Sequence, residues 1–365
     1  MTHQDVLSLS PEYAALGFGL MRLPGVEETA RMVDMYLEAG FNYFDTAYVY
    51  GGSEEKMKKA LTSRHPRDSF LVADKMPPWM VRSPKDCDKL FAESLRRCGL
   101  DYIDFYLVHS LDEDNERSAV NAGVYDWIVQ QKKKGLCKHI GFSFHDSAEV
   151  LDDILTAHPE MEFVQLQLNY IDVLRGKAGE QQEVALKHKK PIIVMEPVKG
   201  GMLAKTSPSA EAIFKKYAPG SSVASWAVRY AASLQGATCL LSGMSTIQQM
   251  EDNLKTYDQF KPMTPEELDV IEQVLLEQAG VSVIPCTSCK YCLDDCPENI
   301  EIPTCFNLFN DLKRGAESWN IEGLYGSIPD GRRAGDCIAC GACVSRCPQH
   351  IDIPDKLKLV AKRFD

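Results

Sequence analysis

No stretch of the roughly 18 apolar residues that a membrane span requires occurs in the sequence, so a spanning helix is not expected. The opening, MTHQDVLSLSPEY, is polar and resembles no signal peptide. Without a leader the oxidising compartment that favours disulfides has no support, and a reducing cytoplasm is expected. Positive charge is also short. With 40 Lys and Arg against 52 Asp and Glu the net charge is −12, which argues against nucleic acid or anionic lipid as a general partner. No G-x-G-x-x-G follows the first strand-like run, which weakens a doubly wound dinucleotide fold. Cysteine, in contrast, is abundant, at 13 in 365 residues.

Eight of those cysteines fall in two runs of identical spacing, Cys286, Cys289, Cys292, Cys296-Pro297 and Cys337, Cys340, Cys343, Cys347-Pro348. Each reads C-x2-C-x2-C-x3-C-P, the bacterial ferredoxin pattern for [4Fe–4S] clusters, in which the fourth cysteine ligates the other cluster. Two clusters are expected, one held by Cys286, Cys289, Cys292 and Cys347 and the other by Cys337, Cys340, Cys343 and Cys296. A structural zinc fits poorly, because it takes four ligands, commonly as two C-x-x-C pairs. Such clusters suit an organism that tolerates little oxygen. A weak repeat accompanies the runs, Ile300-Glu301-Ile302-Pro303 echoed by Ile351-Asp352-Ile353-Pro354. The other cysteines, Cys87, Cys98, Cys137, Cys239 and Cys305, show no ligand spacing and read as small buried hydrophobes.

Upstream, short apolar runs alternate with longer amphipathic stretches. Strands are expected at 16–21, 41–47, 70–75, 103–109, 139–144, 163–168, 192–196 and 238–242, and helices at 27–38, 83–98, 120–134 and 221–233. Eight β/α units in this length fit a (β/α)8 TIM barrel, whose strands are apolar throughout because both faces are buried. Residues 262–278 read as the last helix, with Thr264 and Glu267 as a capping box. The expected domains are residues 1–280, the barrel, and 281–365, a small, mainly helical two-cluster ferredoxin-like domain. Within the latter a helix is expected over 303–314 and an irregular piece over 319–333.

In a barrel of this kind the chemistry sits at the C-terminal ends of the strands. Those positions carry Asp45 and Tyr50 after the second strand, Lys75 ending the third and His109 ending the fourth. A tyrosine becomes a usable acid at neutral pH when a buried cation stabilises its phenolate. Lys75 supplies such a cation, Asp45 pairs with it, and His109 is suited to orient a carbonyl. Tyr48 is the decoy, since Tyr50 is the tyrosine that directly precedes glycine. Trp79 is read as a candidate substrate wall, and Asp146 as the cap of the helix after the fifth strand.

The D-T-A-x-x-Y-G motif at Asp45 to Gly51, the LGFGLMRL opening, the GFS segment at Gly141 to Ser143 and the LSGMSTIQQMEDNL turn and helix together resemble the aldo-keto reductase superfamily over about residues 15–279. Chain-wide, the sequence is similar to the iron–sulfur-bearing bacterial and archaeal members. The resemblance implies NAD(P)H bound across the barrel mouth, an aldehyde or ketone as substrate, and Tyr50 as proton donor with Asp45, Lys75 and His109 around it. It also implies Gly19, Met21, Asp45, Ser143, Gln165, Met195, Gly243, Gln249, Asp252 and Asn253 as cofactor residues. Departures are visible. Phe144 replaces an asparagine, Met195 and Glu196 stand for a stacking tyrosine and a serine, and Gly243 and Gln249 occupy positions where NADPH-specific relatives carry Lys and Arg.

Hydride transfer moves two electrons and each cluster moves one. The sequence therefore supports first a carbonyl reductase or alcohol dehydrogenase whose clusters are structural or close the pocket, with Phe306, Trp319 and Tyr325 as candidate closing aromatics. Second, it supports an electron-transfer enzyme exchanging electrons with a ferredoxin or flavoprotein, docked near Asp294, Asp295 and Glu298. A non-catalytic redox sensor is disfavoured by the intact tetrad.

Overall fold

The computed structural model describes residues 6–7, 12–258 and 260–365. Most of the polar opening lies outside the described residues. Eight strands, β1 (Ala15–Gly19), β2 (Tyr43–Asp45), β3 (Leu71–Met76), β4 (Ile103–Leu111), β5 (Cys137–Phe144), β6 (Phe163–Gln167), β7 (Ile192–Met195) and β8 (Ala237–Ser242), close into a parallel barrel in chain order. The seam pairs Leu16 with Leu240 and Gly17 with Leu241. Tyr43, Ala73, Phe105, Leu107, Phe163, Ile193, Cys239 and Leu241 fill the interior, joined by Val6. A Cβ on Gly17 would stand 2.8 Å from the Cys239 sulfur, so the small residue on β1 makes room for the cysteine opposite. Cys87, Cys98, Cys137, Cys239 and Cys305 are all buried, and burial pushes the Cys87 and Cys137 thiols up to about 12.

The chain forms two compact units. One contains residues through Pro197 with Ser225–Met263, and the other Val198–Ala224 with Thr264–Asp365. All eight strands belong to the first. In the second, helix Pro265–Gln278, which begins with the expected Thr264–Glu267 capping box, packs on helix Pro208–Tyr217.

Three local expectations are corrected. The helix expected over 120–134 is two, Glu113–Ala122 and Val124–Lys133, because Gly123 takes φ +71°, a left-handed conformation that ends the first helix and starts the second. The irregular piece over 319–333 contains helix Ser318–Gly326, held by Tyr325, whose ring stacks 4.4 Å from Phe364 on the C-terminal helix Ile353–Phe364. The helix after β5 is capped by Ser147, whose Oγ accepts from the Val150 N–H at 3.4 Å. Asp146 instead accepts from the Glu113 N–H at 3.0 Å.

Candidate active site and cysteine cavities

Strands β2, β3 and β4 are adjacent, so side chains at their ends converge. The Lys75 ammonium, fully buried, donates to Asp45 Oδ1 at 2.5 Å and to the Thr46 carbonyl at 2.7 Å. Thr46 is fixed in turn by its Oγ1 at 2.7 Å from Ser53 Oγ, which donates to the Leu20 carbonyl at 2.9 Å. Burial pushes the Asp45 carboxyl above its ordinary 3.8, and Lys75 pulls against that shift. The pair is mutually dependent, since removing one partner of a buried ion pair costs about 3–5 kcal/mol. Tyr50 follows in the turn after β2, with Lys75 Nζ 5.0 Å from its ring centroid and the His109 ring 5.7 Å away, edge-on at 80°. Tyr48 turns elsewhere and stacks under Arg97, 4.5 Å from the guanidinium carbon.

His109 is aimed by an irregularity in β4. The register with β5 shifts between Val108 and Leu111, and Ser110 takes φ +55° while its N–H donates to Ser143 Oγ at 2.7 Å. A bulge of this kind re-aims a side chain beside a site. Burial, then Lys75 and then His145, hold the His109 ring well below its ordinary 6.5, so the imidazole is neutral. Trp79 stands beside it, ring centroids 5.6 Å apart.

This has a measurable sign. The unfolded chain takes up a proton at His109 as pH falls below 6.5, and the folded chain does not, so the full stability present above 6.5 is lost progressively below it. In the wild type this group lowers the unfolding free energy by up to about 1.4 kcal/mol per pH unit below 6.5, and His109→Gln is expected to flatten the resulting fall in melting temperature between about pH 7 and 5. Thermal scans of both proteins across that range check it, and an unchanged slope would refute the assignment.

The cofactor residues implied by resemblance lie on or just after β1, β2, β5, β6, β7 and β8 and on helix Ile247–Asp258. Ser143 and Gln165 are paired in register on β5 and β6. Ser143 Oγ accepts from Ser110 and keeps its own proton to donate, while Gln165 Oε1 is buried without a hydrogen-bond partner among the described residues. A carboxamide satisfies both, which is the chemistry of a nicotinamide. Asp45 Oδ2 and Asn253 Oδ1 are likewise buried and unpartnered. Met195 is half-buried against the barrel interior, and Met21 is half-buried after β1. A Cβ on Gly19 would meet Gly243 Cα at 3.7 Å, so β1 and β8 approach closely at this end. Gln249 Oε1 accepts from the Ser245 N–H at 2.7 Å, and Asp252 is half-buried one turn on. Sequence reasoning missed the Thr46 carbonyl, the Ser110 conformation and an ion pair between Arg22 and Glu196 at 3.8 Å. The threonine of D-T-A signalled the first. Backbone conformation and the pairing of distant charges left no local signal.

The two cysteine runs interleave. One cavity is lined by Cys286, Cys289, Cys292 and Cys347, and a second by Cys337, Cys340, Cys343 and Cys296. Ile302 lines both. The turns repeat in backbone terms: Ser288 and Lys290 at φ +57° and +69° match Ala339 and Gly341 at +55° and +80°, and Asn299 matches His350. These turns aim N–H groups at sulfur, Ser288 to Cys286 and Ala339 to Cys337, both at 3.4 Å. The echoed Ile-x-Ile-Pro segments open helices Ile302–Lys313 and Ile353–Phe364. Thiol sets of this number and shape fit two [4Fe–4S] clusters. Of the aromatics weighed as pocket closers, Phe306 and Tyr325 sit in the core of this unit, and Trp319 is 73% exposed. Asp294 and Glu298 are exposed, while Asp295 pairs with Arg346 at 2.8 Å.

Comparison with known proteins defines the class. Residues 15–276 match the Aldo/keto reductase family and residues 285–351 match the 4Fe-4S dicluster domain. The chain belongs to the aldo/keto reductase family, an oxidoreductase family, and carries a C-terminal iron–sulfur domain. An aldo-keto reductase of Mycolicibacterium vanbaalenii is 29% identical over 251 residues, 67% of this chain and 82% of that one. The 7-acetyl-epi-neemfruitin B aldo-keto reductase of Melia azedarach is 27% identical, covering 71% and 84%. In fold the chain is similar to aldo-keto reductase AKR11C1 of Bacillus halodurans in its holo form, at a TM-score of 0.59 and 24% identity over 71% and 91% of the two chains. It is also similar to an aldo-keto reductase of Klebsiella pneumoniae in complex with NADPH, at 0.59 and 19% over 72% and 90%.

Proposed function

We propose that this chain interconverts an aldehyde or ketone and the corresponding alcohol with NAD(P)H, and that its clusters are structural. The observation that carries the reading is the buried Lys75 ammonium, held by Asp45 and the Thr46 carbonyl 5.0 Å from the Tyr50 ring. NAD(P)H, when bound, supplies the hydride. Tyr50 donates its hydroxyl proton to the carbonyl oxygen, and Lys75 stabilises the phenolate left behind. His109, neutral through burial, directs an N–H to the same oxygen and leaves Lys75 as the cation at the site. Gln165 and Ser143 hold the carboxamide that their unpaired oxygen and hydroxyl proton suit, Met195 and Met21 pack on the cofactor, Gly19 and Gly243 admit it closely, and Gln249, Asp252 and Asn253 meet its adenosine end. Each set of four cysteines holds one [4Fe–4S] cluster, a group that transfers single electrons. Thirteen cysteines with none in a disulfide suit a reducing, cytoplasmic setting. Anaerobic steady-state turnover of simple aldehydes and ketones, followed by NAD(P)H absorbance, tests the reading. It fails if no carbonyl or alcohol is turned over with either nucleotide.

NADH is expected to bind at least as well as NADPH. A 2′-phosphate gains its strongest bonds from guanidinium or ammonium groups, and Gly243 and Gln249 offer neither. Fluorescence titration with both nucleotides checks this, and an NADPH Kd about tenfold or more below that of NADH refutes it.

The exposure of the second run favours one other reading, exchange of electrons with a ferredoxin or flavoprotein. Cys340 is exposed and Ile338, next to Cys337, is 60% exposed. Electron paramagnetic resonance after NADH addition separates the two. A reduced-cluster signal supports exchange, and clusters silent through carbonyl turnover support a structural role.

A further inference from the structure

The two cysteine runs share their spacing, yet the second is the more exposed, and the difference is plain directly after the first cysteine. Thr287, after the first cysteine of the first run, is 2% exposed, whereas Ile338, its counterpart in the second, is 60% exposed. Thr287 is covered by the segment that leaves β7. That segment, Val198–Ala224, belongs to the same compact unit as the cysteines. It starts with a left-handed stretch, φ +47° at Lys199, +63° at Gly200 and +96° at Gly201. A Cβ on Gly200 would lie 2.3 Å from the Thr287 carbonyl oxygen and 2.5 Å from its Cα, so only glycine fits. Lys199 beside it is 5% exposed. Farther along, Lys205 Nζ lies 3.2 Å from Asp311 Oδ2 on helix Ile302–Lys313, whose Ile302, Pro303 and Phe306 line the first cavity.

We infer that the cluster held by Cys286, Cys289, Cys292 and Cys347 clamps the segment leaving β7, and that Thr287 and Gly200 are positioning residues through which it tightens the hold on the nicotinamide cofactor; the second cluster has no such part. The cofactor half of the inference rests on the function proposed above. Ligation of Cys286 and Cys289 fixes the turn between them, and with it the Thr287 backbone against which Gly200 is seated. Met195 is joined to Val198 by Glu196, itself at φ +53°, and Pro197, a short and stiff connection. Slack in the segment is therefore passed directly to the end of β7.

The test compares anaerobically purified holoprotein with four variants by two measurements, the Kd for NADH and the rate of trypsin cleavage after Lys199. Cys289→Ala is expected to weaken NADH about tenfold and to open Lys199 to trypsin, while Cys340→Ala stays within about twofold in both. Gly200→Ala, which keeps every cysteine, is expected to reproduce both changes at full iron content. Gly201→Ala carries left-handed strain alone, because its Cβ meets nothing within 4 Å, and is expected to stay within about twofold. Equal effects of Cys289→Ala and Cys340→Ala, or of Gly200→Ala and Gly201→Ala, overturn the inference. Should wild-type holoprotein take up neither nucleotide, the proposed function fails on its own, and the trypsin measurement still decides whether the clamp exists.

Discussion

Tyr50→Phe is expected to lower kcat by about 10²–10⁴-fold, the usual contribution of a positioned proton donor, while the Kd for NAD(P)H holds. The substitution removes one oxygen and keeps the ring. The edge-on contact with His109 at 5.7 Å and the Lys75 ammonium 5.0 Å from the ring both persist, so the fold has no reason to change. Tyr48→Phe is the matched control, because that ring stacks on Arg97 and the proposed mechanism gives its hydroxyl no part. Single-turnover measurements on both variants separate the proton step from binding. Retention of more than about a tenth of the rate in Tyr50→Phe, with a large loss in Tyr48→Phe, assigns the proton to the other tyrosine.

The second large effect is on stability. Ile284, Ile300, Ile302, Phe306, Phe309, Ile351, Ile353 and Leu357 are buried together with Cys292 and Cys343, so the apolar core of the cysteine region is built around the two cavities. Metal-dependent cores of this kind fold with their metal. Stripping iron with a chelator is expected to abolish the packing of helices Ile302–Lys313, Ser318–Gly326 and Ile353–Phe364. Calorimetry of the holoprotein and the stripped protein checks this: the transition of the cysteine region should vanish, with matching loss of helical circular dichroism. An iron-free protein with unchanged helicity and melting would make the cavities self-supporting.

The barrel was legible because its strands are buried on both faces, leaving continuous apolar runs at regular spacing; β2 and β8 are buried along their whole length. The convergence of Asp45, Tyr50, Lys75 and His109 followed from that periodicity, since strand ends in sequence order are neighbours in space. The interleaving of the cysteine runs was expected from the ferredoxin rule that goes with their spacing. What escaped depended on backbone conformation or on contacts between distant segments. Gly123 read as one more residue of a helix until its left-handed φ split it. Asp146 and Ser147 are both good caps, and only the direction of the chain chose between them. Residues Ser318–Gly326 form a helix inside the stretch expected to be irregular, and Tyr325 there stacks on Phe364, a contact no local propensity encodes. A boundary at residue 280 follows the motifs, whereas compactness groups Val198–Ala224 and helix Pro265–Gln278 with the cysteines.

Each cavity takes three cysteines from one run and its fourth from the other. The consequence is an order of biosynthesis. As the chain emerges from the ribosome, the first run presents only three sulfurs to its own cavity and one to a cavity whose remaining walls do not yet exist. Neither set of four is complete until the second run has been synthesised, so under the proposed ligand sets iron loading would follow translation of both runs. A nascent chain stalled between Cys296 and Cys337 offers neither cavity its full set of four sulfurs.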